Sequence, residues 1–79
     1  MNEKLRSKML RSPNGWSGRD VVKLLSSYGF VDVEGAEHTN CYHEVYRNLR
    51  LSVPRHKTVK PFYVREALRL VDEVVSYNQ

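Results

Sequence analysis

The sequence contains one cysteine, Cys41, in 79 residues, so no disulfide can form within the chain. A lone thiol suits a reducing compartment. No apolar run approaches the roughly 20 residues that a membrane-spanning helix needs, and no secretory signal is visible. The four glycines form neither a P-loop nor a dinucleotide-binding fingerprint. We therefore expect a cytoplasmic protein that spans no membrane and binds no nucleotide cofactor.

Acidic residues are in the minority. Nine Asp and Glu stand against thirteen Lys and Arg, which gives a net charge of +4 and a pI of about 9.5. A cationic surplus favours a polyanionic partner, because Lys and Arg that contact phosphates release condensed counterions. Four of the basic side chains cluster in one short segment, namely Arg55, His56, Lys57 and Lys60. This segment is the first candidate for a nucleic-acid contact.

The N-terminal half predicts one helix and a separate arm. Residues 1–15 are basic and end in the loop signal Ser12-Pro13-Asn14-Gly15, so we expect them to form an arm or short helix outside the main fold. Residues 16–79 are expected to form the single domain. Ser17 is a good N-cap for a helix over 18–28, because Asp20 follows three residues later, and Gly29 is suited to end that helix.

The remainder predicts three strands and a final helix. Residues 30–33, 38–46 and 49–53 carry β-forming residues, with a hairpin tip at residues 47–48. Pro61 opens an amphipathic helix. The order α-β-β-β-α predicts an α+β fold in which a three-stranded antiparallel sheet carries two helices on one face.

The pattern of His and Cys residues argues against a metal site. His38 and His43 are five positions apart on a predicted strand, so they point to opposite faces of the sheet. Cys41 shares a face with His43, but two ligands leave a zinc site incomplete. Nothing in the sequence marks Cys41 as an activated nucleophile, and a cysteine on a strand is usually a packing residue. We therefore predict no metal and no cofactor.

Cleavage of RNA requires less apparatus than most reactions. The 2′-OH beside the scissile phosphate supplies the nucleophile, so the protein must only move protons and neutralise negative charge. One histidine can act as base or acid, and Lys or Arg can hold the phosphate. Three histidines and a basic loop are compatible with this chemistry, as they are with many binding proteins.

Five segments of the chain follow one another in an order found in a known family. They are Ser17 to Leu25, Gly29-Phe30, His43-Glu44-Val45-Tyr46-Arg47, Leu49 to His56 and Lys60 to Leu68. Over roughly residues 17–70 these segments resemble the HicA family of bacterial toxins. The resemblance implies a double-stranded-RNA-binding-domain-like fold. It also implies a metal-independent mRNA interferase, the toxin of a type II toxin–antitoxin module, with RNA as substrate and a HicB-like antitoxin as partner.

The resemblance assigns the catalytic role to His43, which is followed by two residues, an aromatic and a basic residue, as in the family. Cys41-Tyr42 stands where the family has Gly-Ser. His38 is the runner-up, because its spacing from Gly29-Phe30 fits the family better. The candidate RNA-binding residues are Arg55, His56, Lys57 and Lys60. A non-catalytic RNA-binding or protein-binding module of the same fold is the alternative.

Overall fold

Three helices and three strands follow one another in the order α-α-β-β-β-α in the computed structural model, which describes residues 1–78. At the C-terminal end Tyr77 is the last residue of the final helix, Asn78 caps it, and Gln79 lies outside the described residues. The elements are α1 (Glu3–Arg11), α2 (Gly18–Ser26), β1 (Phe30–Glu34), β2 (His38–His43), β3 (Arg50–Pro54) and α3 (Pro61–Tyr77).

The strands form one antiparallel sheet with the order β1-β2-β3, which confirms the predicted α+β architecture. Helix α2 contacts all three strands, and α3 contacts β3. The helices cover the face that carries Phe30, Cys41 and Val53, which are all buried. The opposite face carries exposed residues such as Asn40 and Ser52, and no helix within residues 1–78 covers it; we call it the open sheet face.

Helix α2 begins at Gly18 as its sequence predicts, and it ends at Ser26, two residues before the predicted end. The Ser17 hydroxyl accepts from the Asp20 amide at 3.0 Å, and the Asp20 carboxylate accepts from the Ser17 amide at 3.1 Å. This reciprocal capping box satisfies two amides that the first turn would otherwise leave unpaired. The chain leaves the helix through Gly29, whose φ of +90° lies in the left-handed region that favours glycine.

Strand β2 is shorter than predicted, because it ends at His43 rather than residue 46. Tyr46 favours a strand by propensity, but it lies in the β2–β3 loop. The imidazole Nδ1 of His43 accepts from the amides of Val45 and Tyr46, at 3.1 and 3.2 Å. These local hydrogen bonds to the His43 side chain replace the hydrogen bonds between strands, so the chain enters a turn directly after His43.

Helix α1 departs from the expected separate arm. Met9 is fully buried and belongs to the core, whereas the neighbouring Leu10 is 58% exposed. Arg6 bonds and pairs with Asp72 of α3, and the Tyr28 hydroxyl donates to the Glu3 carboxylate at 3.1 Å. The N-terminal segment is therefore a third helix packed against α3.

Helix α3 begins at Pro61, as predicted. Proline is tolerated there because the first amides of a helix lack intrahelical acceptors. The helix is 17 residues long, and no helix within residues 1–78 is long and apolar enough to cross a membrane. Its buried residues are Val64, Ala67, Leu68, Leu70, Val71 and Val74.

Candidate nucleic-acid interface

The predicted basic segment follows β3 and is anchored against the start of α2. The Gly18 amide donates to the His56 carbonyl at 2.9 Å, and the amide of buried Val59 donates to the Trp16 carbonyl at 2.8 Å. A Cβ on Gly18 would overlap the carbonyl oxygen of Pro54, so only glycine permits this approach. The backbone of the segment is therefore fixed while the side chains of residues 55–57 are exposed.

A groove of about 580 Å³ lies between this segment, the first turn of α2 and the covered side of β1 and β2. Four basic side chains line it, and we call it the basic groove. Asp32 and Glu34 on β1 line it as well, so its charge is mixed. Those four side chains are Arg19, Arg55, His56 and Lys57.

The amides at the start of α2 add little anion affinity to the groove. The amides of Ser17 and Asp20 bond within the capping box, and that of Gly18 bonds to the loop. A helix N-terminus attracts anions chiefly through free amides. The positive charge of the basic groove therefore comes mainly from its side chains.

The side chain and the amide of Arg55 both bond to the β1–β2 turn. Its guanidinium donates to the Gly35 carbonyl at 2.9 Å and lies 4.0 Å from the Glu34 carboxylate. Its amide donates to the Glu37 carbonyl at 3.0 Å. His56 and Lys57, by contrast, have no side-chain bond or ion pair with any of residues 1–78. These two side chains are free to contact a ligand.

The fourth predicted RNA-binding residue, Lys60, lies outside the groove. It is exposed at the N-cap position of α3, where its side chain makes no capping bond. Arg19, which is not among the predicted RNA-binding residues, lines the same groove as Lys57. No sequence pattern links these two residues, because they meet only when the loop packs on α2.

His43 is a buried residue with a structural role. It is 7% exposed, its ring stacks on Tyr46 at 4.9 Å between centroids, and it meets Phe30 edge-on at 5.1 Å. Since Nδ1 accepts two amides, the neutral ring carries its proton on Nε2. Nε2 faces Gly29 and lies 2.8 Å from where a Cβ on that glycine would be.

His38 occupies the other end of β2 and is exposed. It pairs with Pro54, next to the basic segment, and its carbonyl accepts from the Gly35 amide at 2.8 Å. Five residues at about 3.3 Å each place His43 about 17 Å away along the strand. The two histidines lie on opposite faces, as their spacing predicts. Only His38 adjoins the basic segment.

Cys41 is a packing residue. Its side chain is 1% exposed, and burial, with a smaller contribution from the charge of Asp32, raises the pKa of its thiol to about 12. A thiol with so high a pKa supplies almost no thiolate near neutrality. Among residues 1–78 no three His, Cys, Asp or Glu side chains come close enough to hold a metal ion.

Comparison with known proteins gives no match: no family model, no curated protein and no solved structure is similar to this chain.

Proposed function

We propose that this protein is a HicA-like toxin of a type II toxin–antitoxin module, an endoribonuclease that cleaves mRNA without a metal ion. The observation that carries the proposal is that His38, which is exposed, pairs with Pro54, the residue directly before the segment that carries the unpaired basic side chains His56 and Lys57. His38 lies on the open sheet face, and an RNA that passes around this end of the sheet would bring a phosphate bound by that segment toward a proton acceptor. The sequence resemblance to the HicA family supports the same chemistry.

In the proposed reaction His38 is the proton-transfer residue. It takes the proton of the 2′-OH as the 2′ oxygen bonds to phosphorus and the bond from phosphorus to the 5′ oxygen breaks. The leaving oxygen takes a proton from solvent or from protonated His56, which yields a cyclic phosphate end and a 5′-hydroxyl end. Lys57, on the segment that follows β3, stabilises the negative charge that develops on the phosphate.

The sequence resemblance assigns the catalytic role to His43, but the burial of His43 favours His38 for that role. A general base must come within hydrogen-bonding distance of its proton, about 2.6–3.2 Å. His43 is 7% exposed, and its Nδ1 is occupied by two amides. His38 needs no rearrangement to meet a substrate, because its side chain is exposed.

Its protein partner in this proposal is a HicB-like antitoxin. Such a partner would have to cover His38 and neutralise the cationic surface around it, so an acidic surface on the antitoxin would fit. Expression of the free protein should arrest growth, and co-expression of the antitoxin should relieve the arrest.

A second candidate function is an RNA-binding module without catalysis. The structural use of His43 favours it, together with Cys41-Tyr42 in place of the family's Gly-Ser. It predicts RNA affinity that falls steeply with salt and RNA that stays intact.

The test is incubation of purified protein with a long, unstructured RNA in EDTA. Wild type is expected to cleave it, His38→Ala to lose cleavage, and His43→Asn to retain cleavage in proportion to its folded fraction. Arg65→Gln is the matched charge control, because Arg65 is an exposed residue of α3. Intact RNA after incubation with folded wild type would exclude the nuclease and leave the binding module.

A further inference from the structure

The open sheet face carries a second groove, distinct from the basic groove. It measures about 550 Å³ and runs between β2 and β3. The register places Tyr42 opposite Arg50 and Asn40 opposite Ser52. Arg47, from the β2–β3 loop, closes one end of the row. We call this the sheet-face groove.

The charge of the sheet-face groove is of one sign. Arg47 and Arg50 line it, and no acidic side chain does. Neither guanidinium bonds or pairs with any side chain or carbonyl in the described chain, residues 1–78. Arg6 and Arg69, in contrast, pair with acidic side chains on the helices. Two unpaired guanidinium groups on one surface are suited to bidentate contact with phosphates.

The other lining groups suit nucleobases. Tyr42 is half-buried on the open sheet face, and Asn40 and Ser52 are exposed beside it. An aromatic side chain on a sheet surface can stack on an unpaired base of any sequence. Amide and hydroxyl groups can hydrogen-bond to base edges. Only unpaired bases offer these faces and edges, because in an RNA duplex they are stacked and paired.

We propose that the sheet-face groove binds single-stranded RNA, with Arg47 and Arg50 on phosphates and Tyr42 stacked on a base. The choice of RNA rests on the proposed function, and the choice of a single strand rests on Tyr42. The uniform positive charge argues for a polyanion over an apolar protein surface.

The position of this groove ties it to His38. His38, Asn40 and Tyr42 alternate along β2 and share the open sheet face. At about 3.3 Å per residue, Tyr42 lies about 13 Å from His38 along the strand. A single strand held at Tyr42 and followed along β2 therefore reaches His38. The groove would select unpaired substrate and align it for cleavage.

The test is fluorescence anisotropy with a labelled 2′-O-methyl uridine oligonucleotide of about 10 nucleotides. This probe lacks the 2′-OH nucleophile, so binding is measured whether or not the protein is a nuclease. The variants are Arg47→Gln with Arg50→Gln, and Tyr42→Leu alone. The control is Arg65→Gln, which removes the same charge from an exposed site on α3.

The affinity of wild type for the oligonucleotide is expected to fall as salt rises. The double arginine variant should reduce the slope of log affinity against log salt concentration by about 1.4, since each phosphate contact on a single strand contributes roughly 0.7. Tyr42→Leu is expected to weaken binding about ten-fold, within the range measured for base–aromatic stacking, with the salt slope unchanged. Arg65→Gln is expected to bind as wild type does.

Affinity that is unchanged in both sheet-face variants would overturn this proposal and leave an acidic protein segment as the occupant to consider. If RNA were still cleaved in that case, the proposed nuclease would stand without this groove. Binding that depends on Tyr42 and the two arginines, with no cleavage of RNA, would keep the groove and reject the nuclease. Absence of binding by wild type at low salt would reject the groove.

Discussion

Replacement of His43 by alanine is expected to destabilise the fold rather than to act on chemistry alone. The change removes the acceptor of two amides, at 3.1 and 3.2 Å, and the ring contacts with Tyr46 and Phe30. We assign about 1 kcal/mol to the lost hydrogen bonds, since Val45 is exposed and its amide can bond to water. We assign about 2 kcal/mol to the truncated buried ring and its aromatic pairs.

The total of about 3 kcal/mol is large for a domain of this size, whose stability is expected to be about 4–12 kcal/mol. At about 4–8 °C per kcal/mol, the midpoint of thermal unfolding should fall by about 12–24 °C. Circular dichroism during heating and urea titration would measure the loss. His43→Asn should lie between alanine and wild type, because its short amide can accept from nearby amides.

The matched control is His38→Ala, on the same strand. His38 is exposed and no side-chain hydrogen bond ties it to residues 1–78, so its removal should change stability by less than about 0.5 kcal/mol. Equal stability of the two alanine variants would refute the structural role of His43. A destabilised His43→Ala that still cleaves RNA in its folded fraction would agree with it.

Two further predictions concern buried residues. The Cys41 thiol should resist aromatic disulfide reagents in the native protein and react after unfolding in urea, and rapid labelling of the native protein would contradict its burial. Because burial raises the pKa of this thiol from 9.0 to about 12, its contribution to the free energy of unfolding should be full below about pH 9 and decline toward pH 12. Cys41→Ala should lack that decline. Met9→Ala should lower the free energy of unfolding by about 2–4 kcal/mol in urea titration, whereas Leu10→Ala, at an exposed position, should lower it by under about 1 kcal/mol. Similar values for both variants would indicate that α1 does not pack against the core.

Local signals in the sequence predicted the elements whose ends depend on neighbouring residues. Ser17 and Asp20 make the capping box that their spacing predicts, and Gly29 takes the positive φ expected of it. Pro61 is the first residue of α3, as expected from the tolerance of proline at that position. Each of these features is decided within a few residues of chain, so sequence alone is sufficient.

Features decided by distant contacts were not predictable in this way. Met9 is the buried residue of α1, a helix in which most residues are polar. Only the packing of α1 against α3 shows which apolar side chain of the helix is covered. The end of β2 depends on a ring nitrogen that accepts two amides, which strand propensity does not report. The spacing of His38 and His43 predicted opposite faces, but the packing of the helices decides which face is covered.

The proposed cleavage mechanism is tested most directly by a comparison of two forms of one RNA, with EDTA present. One form is unmodified, and the other carries 2′-O-methyl groups throughout. Wild type is expected to cut only the unmodified RNA and to leave cyclic phosphate and 5′-hydroxyl ends, and folded His38→Ala is expected to cut neither RNA. Cleavage of the 2′-O-methyl RNA, full activity in His38→Ala, or intact unmodified RNA with folded wild type would contradict the proposed mechanism.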